Sequence, residues 1–275
     1  MKIGVLVVYE KGVDIEAKLE EVKSLDLNCC QISCWDPTLY TDENAEAIRK
    51  AVEKTGIEVT ALWAGWSGPA VWDFVEGPHT LGLVPVAYRF IRMKELMAAS
   101  DFAEKINVAN VATHVGFLPE VPSDDNFVGV VSALKKLVSY MKEKNQTFLF
   151  ETGQETPVTM LRAIEAIGMD NVGINFDTAN LVLYGKANTA DALDVFGKYV
   201  RNTHCKDGEY PTEGTKLGRE VPLGEGRANM PAVMKKLSAL NYDGPYIIER
   251  EISGEEQIKD IISARDLLLK IAAEV

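Results

Sequence analysis

The chain is poor in the residues that most often announce a metal or a disulfide fold: its 275 residues include three histidines and four cysteines. Cys29, Cys30, Cys34 and Cys205 show neither paired metal-ligand spacing nor a disulfide framework, so buried free thiols in a reducing compartment are expected. Positive charge is also scarce. Lys and Arg total 29 against 41 Asp and Glu, a formal net charge of -12. Such a chain repels phosphate backbones and anionic bilayers, which argues against nucleic-acid and membrane partners. No apolar run approaches the roughly 20 residues of a membrane span. The run from Ile3 to Val8 is also too short for a signal segment, and acidic sequence follows it, so a cytoplasmic location is expected. Finally, no Pro/Ser-rich linker, charge block or low-complexity run divides the chain, and one domain over residues 1–275 is the simpler reading.

What is present is alternation. Apolar runs of strand length begin at Lys2, Cys29, Glu58, Asn110, Thr147, Val172, Val200 and Tyr246. Each is followed by a stretch whose apolar residues recur at helical spacing. The fourth strand is expected to end at His114, the helix after it to run to Lys144, and the seventh strand to reach Lys206. Parallel neighbours require crossover connections, usually helical, so eight such units predict an α/β fold, a closed (β/α)8 TIM barrel. The stretch AGWSGPAVWDFVEGPHTLGLVP after the third strand is too long for a connector and reads as a binding loop or lid. Within it, Trp66 is a candidate to stack on a sugar ring, whereas Trp72 reads as filling of the barrel mouth.

Chemistry in such barrels sits where strands end. Glu151, Asp177, His204 and Glu249 occupy that position on the last four strands, closing TFLFE, VGINFD, the run VRNTH and YIIE. Adjacent buried carboxylates repel unless a cation sits among them, and three carboxylates with one imidazole suit a divalent ion. The oxygen-rich set favours Mn²⁺ or Mg²⁺, with Co²⁺ or Zn²⁺ as alternatives. His114 in THVGF and Lys206, on the same strand face as His204, are candidates to touch a substrate. The glycine-rich stretch after Lys206 carries Lys216, Arg219 and Arg227, basic groups able to bind a phosphate or sugar hydroxyl. Asp207, Glu209, Glu213, Glu220 and Glu225 interleave with them, so loop-ordering ion pairs are the plainer reading.

The segments VGINFDTANLVLYG, YVRNTHCKDGEYPTEGTKLGREVPLGEGR and YDGPYIIERE resemble the xylose-isomerase-like TIM-barrel superfamily, within it the sugar phosphate isomerase/epimerase group that includes ketose 3-epimerases. The resemblance implies that Glu151, Asp177, His204 and Glu249 are metal ligands, with Glu151 and Glu249 doubling as the acid/base pair. It implies a carbohydrate substrate, a keto-sugar or sugar phosphate, turned over through an enediolate, and a possible homo-oligomer. The chain departs from free-ketose 3-epimerases at Asn180, where a histidine is expected three residues after the sixth-strand aspartate. Asn180 can still hydrogen-bond a sugar hydroxyl. The alternative activity is a metal-dependent lyase or dehydratase, because β-elimination next to the ketone of a 3-keto-glycoside or inosose begins with the same proton removal. A non-catalytic sugar-binding barrel would have no need to gather four such ligands.

Overall fold

The apolar runs become the strands of a closed parallel barrel in the computed structural model, which describes residues 1–274. In chain order the elements are β1 (Ile3–Val8), α1 (Ile15–Ser24), β2 (Cys29–Cys34), α2 (Asp42–Thr55), β3 (Glu58–Ala64), α3 (Gly77–Thr80), α4 (Val86–Lys105), β4 (Asn110–Thr113) and α5 (Asp125–Lys142). They continue with β5 (Thr147–Glu151), α6 (Pro157–Ile167), β6 (Val172–Asp177), α7 (Asn180–Leu183), α8 (Thr189–Phe196) and β7 (Val200–Cys205). A short hairpin, β8 (Asp207–Gly208) with β9 (Glu220–Val221), precedes α9 (Met230–Ala239), β10 (Tyr246–Ile248) and α10 (Glu255–Ala272). The barrel runs β1 to β7 in sequence order, and β10 pairs with both β7 and β1 to close it. No helix among the described residues is long and apolar enough to cross a membrane.

Side-chain alternation divides each strand between two cores. Cys30, Ile32 and Cys34 of β2, Phe148 and Phe150 of β5, and Val172, Ile174 and Phe176 of β6 pack in the large core that also holds the helices' apolar faces. Trp63, Ala112 and Leu149, from three successive strands, form a smaller cluster inside the barrel. The opposite parity of β5 and β6 therefore points inward, and at their last residues this parity carries Glu151 and Asp177. Thr41 and Thr156 accept from the backbone at the starts of α2 and α6, and Gly56 and Gly168 end these helices in the left-handed region.

Two register shifts interrupt the ladder, one where β2 passes Cys30/Gln31 against β3 and one where β6 passes Ile174/Asn175 against β7. The extra residue on β7 lets Val200 and Cys205, of opposite parity, both face the large core. His204 is thereby turned into the barrel beside Asp177.

The long loop after β3 is ordered by a residue that its own sequence does not contain. Arg92 of α4 is fully buried and donates to the carbonyl oxygens of Ser67 (3.1 Å), Pro69 (2.9 Å), Thr80 (2.7 Å) and Gly82 (2.7 Å). Its guanidinium lies 4.0 Å from the Trp66 ring centroid. Gly82 has φ +67, and a Cβ there would sit 2.0 Å from the Val115 carbonyl oxygen, so this crossing of two loops requires glycine.

Several expected boundaries shift by one or two residues. β4 ends at Thr113 and β7 at Cys205, so His114 and Lys206 stand just past their strands, and α5 stops at Lys142. α7 and the β8/β9 hairpin were not expected. Both are too short to show a period.

Candidate metal centre

Glu151 ends β5, Asp177 ends β6, His204 stands one residue before the end of β7, and Glu249 directly follows β10. The register sets Asp177 beside His204 and His204 beside Ile247. His204 Nδ1 lies 3.0 Å from Glu151 Oε1, 3.1 Å from Glu249 Oε2 and 3.8 Å from Asp177 Oδ2. One ligand atom from each of the four residues falls within 4.8 Å of the others. Four strands that are distant in sequence thus aim four donors at one point.

The donors are prepared unequally. Asp177 Oδ1 accepts from the backbone N–H of Ala179 (2.8 Å) and Asn180 (2.7 Å), fixing the carboxylate at the start of α7. Its Oδ2 is buried and has no hydrogen-bond partner, and the same is true of His204 Nδ1. Unsatisfied buried polar atoms are costly, and two of them facing two further carboxylates is the donor arrangement a divalent cation would satisfy. Glu249 is the most open of the four, with its side chain 14% exposed toward the cavity.

Lys206 supplies the neighbouring positive charge. Its Nζ is 2.6 Å from Glu251, 3.5 Å from Glu249 Oε2 and 3.7 Å from Asp177 Oδ2. Burial alone would neutralise Glu249, yet Lys206 and His204 outweigh it and hold this carboxyl well below the usual range. Asp177, fully buried and farther from both cations, is pushed up to about 7 by desolvation. His204 is raised well above an ordinary imidazole. Burial opposes the charged form, but Glu151 and Glu249 prevail.

Above the four donors opens a cavity of about 570 Å³. Trp35, Trp63 and Trp72 line one side, and Glu151, Glu249 and Lys206 lie on its lining as well. Trp35 and Trp63 stack at 5.2 Å, and Trp72 meets His114 edge-on at 5.1 Å. His114 and Asn180 also line it. His114 Nδ1 is 3.0 Å from Gln154 Oε1, and burial lowers its pKa toward the neutral imidazole. Asn180 Nδ2 donates to the Thr152 carbonyl at 3.2 Å.

Two expected substrate residues are not at the cavity. Trp66 is only 1% exposed, held beneath Arg92, while Trp72, read as filler, is 40% exposed on the lining. The loop turns its first indole inward because Arg92 gathers the carbonyls around it. Arg219 has a side chain 76% exposed and pairs with Glu209 at 3.1 Å, away from the cavity. Lys216 pairs with Glu213, and Asp207 accepts from the backbone of Gly208, Gly224, Gly226 and Ala228, so ion pairs and a carboxylate order this loop. Sequence reasoning missed Trp35, Gln31, Asn175 and Glu251. Gln31 and Asn175 carried a usable sign, being amides inside largely apolar strands.

The chain belongs to the xylose isomerase-like TIM barrel family, whose model matches residues 19–270. A xylose isomerase domain protein from Planctomyces limnophilus is 34% identical and superposes with a TM-score of 0.92, covering 99% of this chain and 98% of that one. An uncharacterized protein of Methanocaldococcus jannaschii is 26% identical, covering 98% of this chain and 88% of its own. A D-tagatose 3-epimerase-like protein shares the fold, with a TM-score of 0.76 at 19% identity over 100% of this chain and 98% of that one.

Proposed function

We propose that this protein is a divalent-metal-dependent isomerase or epimerase of a keto-sugar. The convergence of Glu151, Asp177, His204 and Glu249, with two of their buried donor atoms lacking any partner, carries this reading. These four residues would hold the ion, and the donor set favours Mn²⁺ or Mg²⁺. When bound, such an ion supplies Lewis-acid polarisation of the substrate carbonyl.

The remaining work falls to the chain's own groups. Glu249, ionised and open to the cavity, is placed to take a proton from the carbon beside the carbonyl. Glu151, at the end of β5, would take up a proton from solvent and return it to the other face, while Glu249 passes its own to water, which balances the turnover. Lys206 keeps Glu249 charged, and His114 and Asn180 present polar atoms to sugar hydroxyls. The tryptophan wall fits the apolar face of a sugar ring and keeps water from the reacting carbon. Both cations lining the cavity are already held by carboxylates, Lys206 by Glu251 and Arg250 by Glu220 and Asp260. This favours an uncharged keto-sugar over a sugar phosphate.

Proton NMR in D₂O, with Mn²⁺-loaded and then desalted protein, tests the proposal on a panel of ketoses, ketose phosphates and 3-keto-glycosides. Exchange of the hydrogen beside the carbonyl with a rearranged sugar is expected. Glu151→Gln and Glu249→Gln should each slow that exchange by about 10² or more. Unchanged turnover in both variants would sink the acid/base assignment, and exchange accompanied by loss of a leaving group would reassign the protein as a lyase. Asp177→Asn keeps the Oδ1 acceptor for α7 while removing the charged donor, so it should fold normally and lose metal by elemental analysis. Full occupancy would take Asp177 out of the site.

A further inference from the structure

Beneath the four donors, three hydrogen bonds form one chain across the barrel interior. Asn175 Nδ2 donates to Glu151 Oε2, Gln31 Nε2 donates to Asn175 Oδ1 at 3.0 Å, and Gln31 Oε1 lies 2.6 Å from His204 Nε2. Gln31 and Asn175 are both fully buried, and each lies next to one of the two register shifts in the ladder. The direction of this chain is not arbitrary. An ionised carboxylate only accepts, so Asn175 must meet Glu151 with its amide nitrogen and turn its oxygen toward Gln31. Gln31 must then donate to Asn175, which leaves its oxygen facing His204. That oxygen requires a proton on Nε2. The other ring nitrogen, Nδ1, is left to face Glu151, Asp177 and Glu249.

We propose that Gln31 and Asn175 are positioning residues of the metal centre: the charge of Glu151, relayed through two amides, fixes His204 as the Nε2–H tautomer with Nδ1 as its ligand atom. The same relay holds Glu151 by Oε2 and leaves Oε1 toward the ion. The inference rests on the metal-centre reading above. Hydrogen bonds behind a ligating imidazole commonly contribute about 10- to 100-fold in metal affinity.

The chain's three histidines make a direct test practicable. Long-range proton–nitrogen correlation spectra of ¹⁵N-histidine-labelled, Zn²⁺-loaded protein should show one imidazole with a slowly exchanging Nε2–H and a metal-shifted Nδ1. Gln31→Met, close in volume but only a weak acceptor toward the imidazole and no donor to Asn175, should lose the slow exchange and weaken Zn²⁺ and Mn²⁺ binding by about 10- to 100-fold in calorimetry. Asn202→Leu serves as the control. It removes another buried barrel amide, one that donates to Thr60 and not to the chain, and should leave metal affinity within about twofold. Metal ligation through Nε2 in the unaltered protein would overturn the proposal, whether or not the variant folds. So would a Gln31→Met protein with unchanged affinity, or an equal loss in Asn202→Leu. Failure of the unaltered protein to take up any divalent ion would instead remove the metal centre itself.

Discussion

At the scale of single residues, the cost of buried charge decides which groups are available for chemistry. Glu249 stays ionised because Lys206 and His204 outweigh its burial, whereas at Glu155, four residues past Glu151, the charge of Lys186 is too weak to offset burial. Glu155 is 2% exposed, its Oε1 lacks a partner, and desolvation pushes its carboxyl up to about 8. A carboxyl whose folded pKa is raised binds more protons in the folded state than in the unfolded one. Its contribution is therefore fully present below its unfolded pKa, near 4.5, and is lost as pH rises toward about 8. Glu155→Gln should flatten that slope and raise stability at pH 8 by on the order of a few kcal/mol, as read from urea midpoints across pH. A slope that the substitution leaves intact would assign the pH dependence to other groups. In the sequence Glu155 is one more acid in a polar stretch, and only the packed site makes it unusual.

Whole elements show a second division between what is local and what is not. The helices and strands were legible because each carries its own local signal: β6, VGINFD, is a strand-length, largely apolar run, and the start of α2 carries its own capping Thr41. The loop between β3 and α4 was legible in length only. Its shape depends on Arg92, which reads in sequence as a charged residue on an amphipathic helix but is fully buried against four loop carbonyls. Arg92→Met should therefore cost about 3 kcal/mol or more, since it leaves buried carbonyls unpaired. Because the loop carries Trp72 to the cavity, the variant should also raise KM for the substrate and open residues 65–85 to limited proteolysis. Proteolytic resistance equal to the parent's would show that the loop is held by its other contacts.

For the whole molecule, the proposed metal binding would be coupled to barrel closure, since the four candidate ligands come from β5, β6, β7 and the end of β10 and meet only in the folded state. Divalent metal at a hundredfold excess over its Kd should stabilise the fold by about 2.7 kcal/mol, seen as a chelator-reversible rise in Tm. Loading displaces the proton that Glu151 and Glu249 favour on His204, so affinity should weaken as pH falls, by about tenfold per unit for each proton displaced. Calorimetry in buffers of different ionisation enthalpy reads that proton directly, and pH-independent affinity would exclude His204 as a ligand. By itself the sequence determined the eight strand-and-helix units, hence the barrel, and placed four metal-liganding side chain types at the strand ends, because strand period and element length are properties of contiguous residues. It did not determine that Trp66 is buried while Trp35 and Trp72 face the cavity, or that Arg219 pairs away from it. Nor did it determine that Gln31, 173 residues before His204, meets that imidazole. Those outcomes belonged to the tertiary structure, because they depend on register shifts and cross-barrel contacts between segments whose proximity no local pattern encodes.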